Sequence, residues 1–324
     1  MTSVKASVID ETTHQVVIQI VNYPQAMQSA VSGLDELFQM ANRFSHPVVF
    51  SCEFVNSSHI ANPFIKANYS RSTPLSALVV PPSIGESYYL QPENNLLDYI
   101  RDAHSNGSII CSACAGAFIV AACGLADQRQ VTTHWGLADI FRQKFTQCQL
   151  DTNQILINDG DLITAGGLMS WLDLGLELVA QFAGSACMRQ LGKFMIVDTG
   201  ARQQRYYQSF TPSFTHGDEL VLNAQHHLQK HFNNTILISE LASIFHTTER
   251  TLLRRFSKAT TLTPLAYLQR VRVQKACDLI ENSSEAIEQI ALQVGYQDSS
   301  SFRKIFQKII GLTPGEFKAR FVKS

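Results

Sequence analysis

Through the first two hundred residues, short apolar runs alternate with stretches whose apolar positions recur every three or four residues. Residues 16–21, 48–54, 78–81 and 108–113 read as strands buried on both faces, and 27–44 and 94–105 as amphipathic helices. Strands that alternate with helices in this way predict an α/β domain, a parallel sheet flanked by helices. Beyond residue 218 the strand-like runs stop and only helical spacing remains.

That second region repeats itself. Phe256, Leu262-Thr263-Pro264, Tyr267 and Arg270 recur as Phe306, Leu312-Thr313-Pro314, Phe317 and Arg320, each 50 positions on. Upstream, Ile238, Leu241 and Ala242 recur as Ile287, Ile290 and Ala291 at an offset of 49. One supersecondary unit is therefore used twice. In each copy a short helix with a small residue at its centre is followed by a turn and a second helix, the spacing of a helix-turn-helix. His246-Thr247-Thr248 makes the first turn, with Thr248 as helix cap. Gly295 supplies the left-handed position of the second, with Asp298 or Ser299 as cap. The second helices leave Arg250, Leu253 and Arg254 outward in one copy and Ser299, Ser300, Arg303 and Lys304 in the other. A long helix starting at Thr263-Pro264 joins the copies and would hold them apart.

Charge sharpens this division. Residues 218–324 carry 14 Lys+Arg against 10 Asp+Glu, a net of +4, while residues 1–217 carry 12 against 17, a net of −5. A single helix-turn-helix pattern is easily mimicked by a helical bundle with a solvated basic face. Two copies at fixed offset, each with cations on its second helix, favour duplex DNA as the partner. Arginine pairs bidentately with guanine in the major groove, and serine hydroxyls suit phosphate oxygens. The chain of 324 residues, 45% hydrophobic and 16% charged, suits two well-cored domains. We place them at 1–200 and 218–324 with a linker at 201–217. No basic start precedes an apolar run and no stretch has the length of a membrane span, so the expected location is the cytoplasm. The seven cysteines read as reduced thiols, although Cys111 and Cys114 are spaced for a redox pair. His227 and His231 lie one helical turn apart, as metal ligands can, but with no third ligand nearby a solvated helix face is the better reading, so neither metal nor cofactor is expected.

The chemistry of the first domain centres on residues 110–124, ICSACAGAFIVAACG. An apolar strand runs directly into a helix of small residues, with Cys114 at the junction. A strand-to-helix elbow is crowded and needs small neighbours such as Ala113, Ala115 and Gly116. At a helix N-terminus the dipole would lower the thiol pKa and favour thiolate. The plainer reading is that Cys114 is a small buried hydrophobe.

Two resemblances extend these readings. The segment ISELASIFHTTERTLLRRF, the Leu-Thr-Pro repeats and the signature GYQDSSSFRKIF resemble the AraC/XylS-type DNA-binding domain over residues 218–321. The resemblance implies base-reading positions for Arg250, Leu253, Arg254, Ser299, Ser300 and Lys304, and an activator. CSACAGAF, GLADQRQVTTHW and INDGDLITAGGLMSWLDLGLELV resemble the PfpI/ThiJ-type, class I glutamine amidotransferase-like fold, as in the sensor half of GlxA-type AraC regulators.

The second resemblance gives Cys114 the nucleophile position. Enzymes of that fold place a histidine directly after the cysteine, where this chain has Ala115. Residues 22–34 contain no Asp or Glu, and Glu86 is the acid nearest the strand end at Pro81. His134 is the candidate partner for the thiol, against the plainer reading of a structural histidine. The expectation is a disarmed enzyme site serving as a binding pocket. Tyr23, Cys114, His134, Trp135 and Trp171 would line it, with Tyr88, Glu86 and Asp173 nearby. Aromatic faces with carboxylates would suit an amino acid or a quaternary amine, against the plainer reading that both tryptophans plug gaps in the core. The expected whole is a dimeric, ligand-responsive transcription factor. The rivals are a thiol hydrolase or hydratase, or a redox sensor, fused to a DNA-binding tail.

Overall fold

The computed structural model of the chain describes residues 13–60, 74–85, 87–200 and 202–322. Its contacts divide the chain into two compact units between Gln204 and Arg205. In the first unit, β1 (His14–Asn22), β2 (Val48–Asn56), β3 (Leu75–Val80), β4 (Ile109–Ala113), β5 (Gln130–Val131), β6 (Gln149–Leu150), β7 (Leu156–Asn158) and β8 (Leu162–Ala165) are the strands among the described residues. Six of them form one sheet in the order β2-β1-β3-β4-β8-β7. All its pairings are parallel except the β7–β8 hairpin. Val16 to Val21 of β1 are buried without interruption, as expected of a parallel strand covered on both faces.

The α/β expectation therefore holds, and the strand and helix runs read from periodicity appear where expected. The antiparallel edge and the two-residue β5–β6 pairing escaped it. Strands of two or three residues are too short to display a period of two. The edge turn depends on Gly160, with φ +85°, whose N–H donates to Asn158 Oδ1 at 3.0 Å.

The helices of this unit are α1 (Gln28–Ala41), α2 (Asn94–Ser105), α3 (Gly116–Ala122), α4 (Ala138–Lys144) and α5 (Trp171–Met195). α1 buries Ala30, Val31, Leu34, Leu37, Phe38 and Ala41, the i, i+3, i+4 stripe that drives its docking. It meets α5 closely because Gly33 and Gly175 carry no side chain: the Trp171 ring lies over Gly33, and Leu34 and Leu37 over Gly175. α5 is broken at Gly184, whose φ of 87° and ψ of 156° are not helical.

The second unit is helical: α6 (Glu219–Lys230), α7 (Ile238–Ile244), α8 (Glu249–Thr260), α9 (Pro264–Asn282), α10 (Ile287–Gln293), α11 (Ser299–Ile310) and α12 (Pro314–Phe321). It has two cores, one per repeat. Leu241, Ala242, Leu252, Phe256 and Tyr267 sit in the first; Ile290, Ala291, Phe302, Phe306 and Phe317 sit in the second. The long helix α9 serves both, giving Leu268 and Val271 to one and Val273, Ala276, Cys277 and Ile280 to the other. One rigid rod thus belongs to two hydrophobic clusters.

The segment between the domains is not a free tether. Residues 202–204 are held by the first unit, Gln203 bridging Gln154 and Arg202 pairing with Asp173 at 2.5 Å. From Arg205 onward the chain packs on the second unit. The Phe210 ring stands on Tyr267 at 5.3 Å and its N–H donates to Gln274 Oε1 at 2.8 Å. Phe214 stacks on His226, and Gln225 Nε2 donates to the Ser213 carbonyl at 3.1 Å. Ala201 lies outside the described residues.

Candidate functional site

The elbow exists as a strained turn. Cys114 follows β4 with φ 54°, a left-handed conformation costly for a residue with a Cβ. Two hydrogen bonds hold it there. Its N–H donates to the Ala165 carbonyl at 2.8 Å, and the Cys114 carbonyl accepts from Thr133 Oγ1 at 2.7 Å. Gly116 lets α3 start against the neighbouring strand, since an added Cβ would stand 2.5 Å from the Val80 oxygen and 2.9 Å from that of Pro81. The same Pro81 oxygen accepts from Tyr23 Oη at 2.7 Å. Tyr23 is buried and stacks on Tyr88 at 5.4 Å, so its hydroxyl is committed to backbone.

The expected thiolate is overturned. Cys114 is 5% exposed, and burial pushes its thiol up to about 11, with only a backbone hydrogen bond from Ala115 pulling the other way. α3 has seven residues, and the field at its start does not offset the loss of water around the sulfur. Cys111 is fully buried in β4 and its thiol is likewise raised by burial. At pH 7 burial therefore holds the Cys114 thiol in its protonated form. Alkylation by iodoacetamide is therefore expected to be slow at neutral pH and to accelerate about tenfold per pH unit towards 11. A rate that levels off below pH 8 would contradict this.

His134 is half-buried, and burial lowers its pKa. Its Nδ1 accepts from the Gly136 N–H at 3.1 Å and its ring stacks on Trp135 at 5.2 Å. Among the described residues no hydrogen bond joins it to the Cys114 thiol. The plainer reading, a histidine that caps its own turn, describes this geometry.

The aromatic-carboxylate pocket does not assemble as expected. Trp171 is 7% exposed and packs its ring on Gly33, so it fills the gap between α1 and α5 rather than lining a cleft. Asp173 is neutralised by Arg202. Glu86 lies outside the described residues. What does converge beside the elbow is a residue that sequence reading missed. Gln204, 3% exposed, inserts its carboxamide among Thr132, Thr133, Trp135 and Gln154. A Cβ at Gly166 would run into it. Only the adjacent Gly166-Gly167 pair hinted that something approaches closely there, and its partner is remote in sequence.

In the second unit the two outer faces are as the repeat predicts. Arg250, Leu253 and Arg254 are exposed on α8, and Ser300, Arg303 and Lys304 on α11, with Ser299 half-exposed. The caps match: Thr248 accepts from the Thr251 N–H at 3.2 Å, and Asp298 from that of Ser301 at 2.7 Å. Those backbone N–H groups hold the Asp298 carboxyl below the usual range, so it stays ionised as a cap. Arg303 differs from its expected role: its guanidinium pairs with Glu288 at 2.5 Å, across to α10, and that charge is partly spent. Among the described residues Arg250, Arg254 and Lys304 form no ion pair, whereas Arg255 is tied to Asp218 at 2.6 Å.

Comparison with known proteins agrees with this geometry. The DJ-1/PfpI family model matches residues 64–181 and a helix-turn-helix domain model matches 241–320. The HTH-type transcriptional regulator CdhR of Pseudomonas aeruginosa is 24% identical over 225 residues, 69% of this chain and 67% of that one. The regulator GlxA of Rhizobium meliloti is 24% identical over 64% of each chain. The chain thus spans about two thirds of the length of these relatives. An isonitrile hydratase of Pseudomonas putida is 28% identical over 110 residues, 34% of this chain and 46% of that enzyme. The chain thus joins a unit that matches the DJ-1/PfpI family to one that matches an AraC-type helix-turn-helix domain, the combination consistent with GlxA-type AraC regulators, to which it is similar.

Proposed function

We propose that the chain is a sequence-specific DNA-binding transcriptional regulator, working as an activator and as a homodimer, whose first unit senses a small metabolite without turning it over. The observation that carries this is the paired output face. Two capped helices, α8 and α11, present unpaired cations outward, and one helix shared by two cores sets the spacing between them. Arg250 and Arg254, with Leu253 as an apolar contact, are assigned to base edges. Ser299, Ser300 and Lys304 are assigned to the second groove, with Arg303 in a lesser role because of Glu288. The non-enzymatic reading is supported by a Cys114 thiol held protonated and by a His134 ring engaged with its own turn.

Footprinting tests the DNA reading directly: two protected major-groove patches about one helical turn apart are expected per unit, and diffuse protection would overturn it. Arg254→Ala is expected to weaken binding to the specific site about 10- to 100-fold, with a loss of less than about threefold on random duplex. Equal losses on both would make Arg254 a phosphate contact.

A further inference from the structure

A buried glutamine whose carboxamide oxygen and nitrogen are both hydrogen-bonded is a template of the group that fits its surroundings. Gln204 Oε1 accepts from the Trp135 N–H at 2.7 Å. Its Nε2 faces the Thr133 carbonyl at 3.0 Å, the Gln154 carbonyl at 3.1 Å and Thr132 Oγ1 at 3.4 Å. One donor and three acceptors, most of them backbone, complement a primary carboxamide. They reject a carboxylate, whose second oxygen would face lone pairs. Gly166 leaves the space. The cradle adjoins the elbow, since the Thr133 whose carbonyl accepts from Gln204 also donates to the Cys114 carbonyl. The group that fills it comes from the last residue before the first unit's contacts end.

We propose that this cradle is a binding subsite for the primary amide of a small metabolite, occupied in the unliganded chain by Gln204, and that such a ligand releases residues 202–204. The proposal rests on the sensor reading above and names its ligand chemistry. An amide-bearing ligand competes for the same four hydrogen bonds. Once it wins, the segment loses the Gln204 carboxamide as an anchor and keeps contacts such as the Arg202–Asp173 pair, the Gln203–Gln154 bridge and the Gln204 backbone bond to Asn153.

The experiment uses the full-length Gln204→Ala variant with acetamide as probe and sodium acetate as control. With acetamide about tenfold above its Kd, the first melting transition of the variant should rise by about 4 °C relative to wild type in the same solution. Acetate should give no such rise. If the variant is unfolded alone, recovery of its far-ultraviolet circular dichroism with acetamide, and not with acetate, supports the subsite equally. Equal responses to both probes, or none to acetamide, overturn the subsite. Tryptic cleavage after Arg202 and Arg205 should be about tenfold faster in the variant and stay fast with acetamide, because the probe fills the cradle without restoring the tether. Unchanged cleavage overturns the latch. Specific DNA binding by wild type, measured in parallel, separates the two readings. Its absence sinks the regulator proposal and leaves the amide result to stand by itself.

Discussion

Gly295→Ala is expected to lower the melting midpoint of the helix-turn-helix unit by about 10 °C and to abolish most of its specific DNA binding. Gly295 closes α10 with φ +90°, a conformation that residues with a Cβ rarely adopt. The alanine methyl would also meet main chain: the Asn233 oxygen stands 2.7 Å from the Cβ position, and its carbonyl carbon and Cα 2.9 Å. Backbone has no rotamer by which to yield. Strain and overpacking together come to roughly 3 kcal/mol. The first repeat supplies an internal control, because the equivalent turn position is His246, with φ 50°. There a side chain is already accommodated, so His246→Gly should change stability by less than about 1 kcal/mol in either direction. Calorimetry of both variants, with anisotropy on a labelled operator, checks the pair. A Gly295→Ala midpoint within about 2 °C of wild type would show that the turn relaxes freely.

Gly116→Ala sets two effects against each other in the first unit. Gly116 opens α3, and alanine is the better helix former by about 1 kcal/mol. Against that, its methyl would stand 2.5 Å from the Val80 oxygen and 2.9 Å from that of Pro81, the latter already engaged by Tyr23. Displacing two carbonyls at a strand end costs about 3 kcal/mol, so the net is a destabilisation of roughly 2 kcal/mol. The first transition should fall by about 5 °C, and Cys114 alkylation at pH 8 should accelerate as the elbow loosens. A rise in the midpoint would mean that propensity governs and that the elbow is not tightly packed.

The repeat and the elbow are legible in the sequence because each is local. A helix-turn-helix is written within some twenty residues: apolar spacing, a small residue, a turn and a cap. Copying it at an offset of 50 removes the ambiguity of one instance. The cap residues Thr248, Asp298, Thr263 and Thr313 act as their type and position suggest. The strand-to-helix junction at Cys114 is similarly local, an apolar run meeting Ala113, Ala115 and Gly116.

The pocket is not legible, since its make-up depends on which distant side chains arrive. Residue type suggests that Trp171 lines a cleft, yet Gly33, in another helix, draws its ring into the core. The helix end suggests a lowered Cys114 pKa, but burial by the whole sheet and its flanking helices decides the sign. Asp173 and Arg303 look like free charges along the chain, and partners 29 and 15 residues away claim them. By itself, then, the chain's pattern determined two domains, their α/β and helical classes, the doubled helix-turn-helix and the position of the elbow. All of these rest on periodicity and short-range geometry. Only the tertiary structure decided that burial holds the thiol protonated, that the Trp171 ring fills the gap between two helices, and that the Gln204 carboxamide bonds among Thr132, Thr133, Trp135 and Gln154. Desolvation, charge pairing and long-range packing have no signature at fixed sequence spacing.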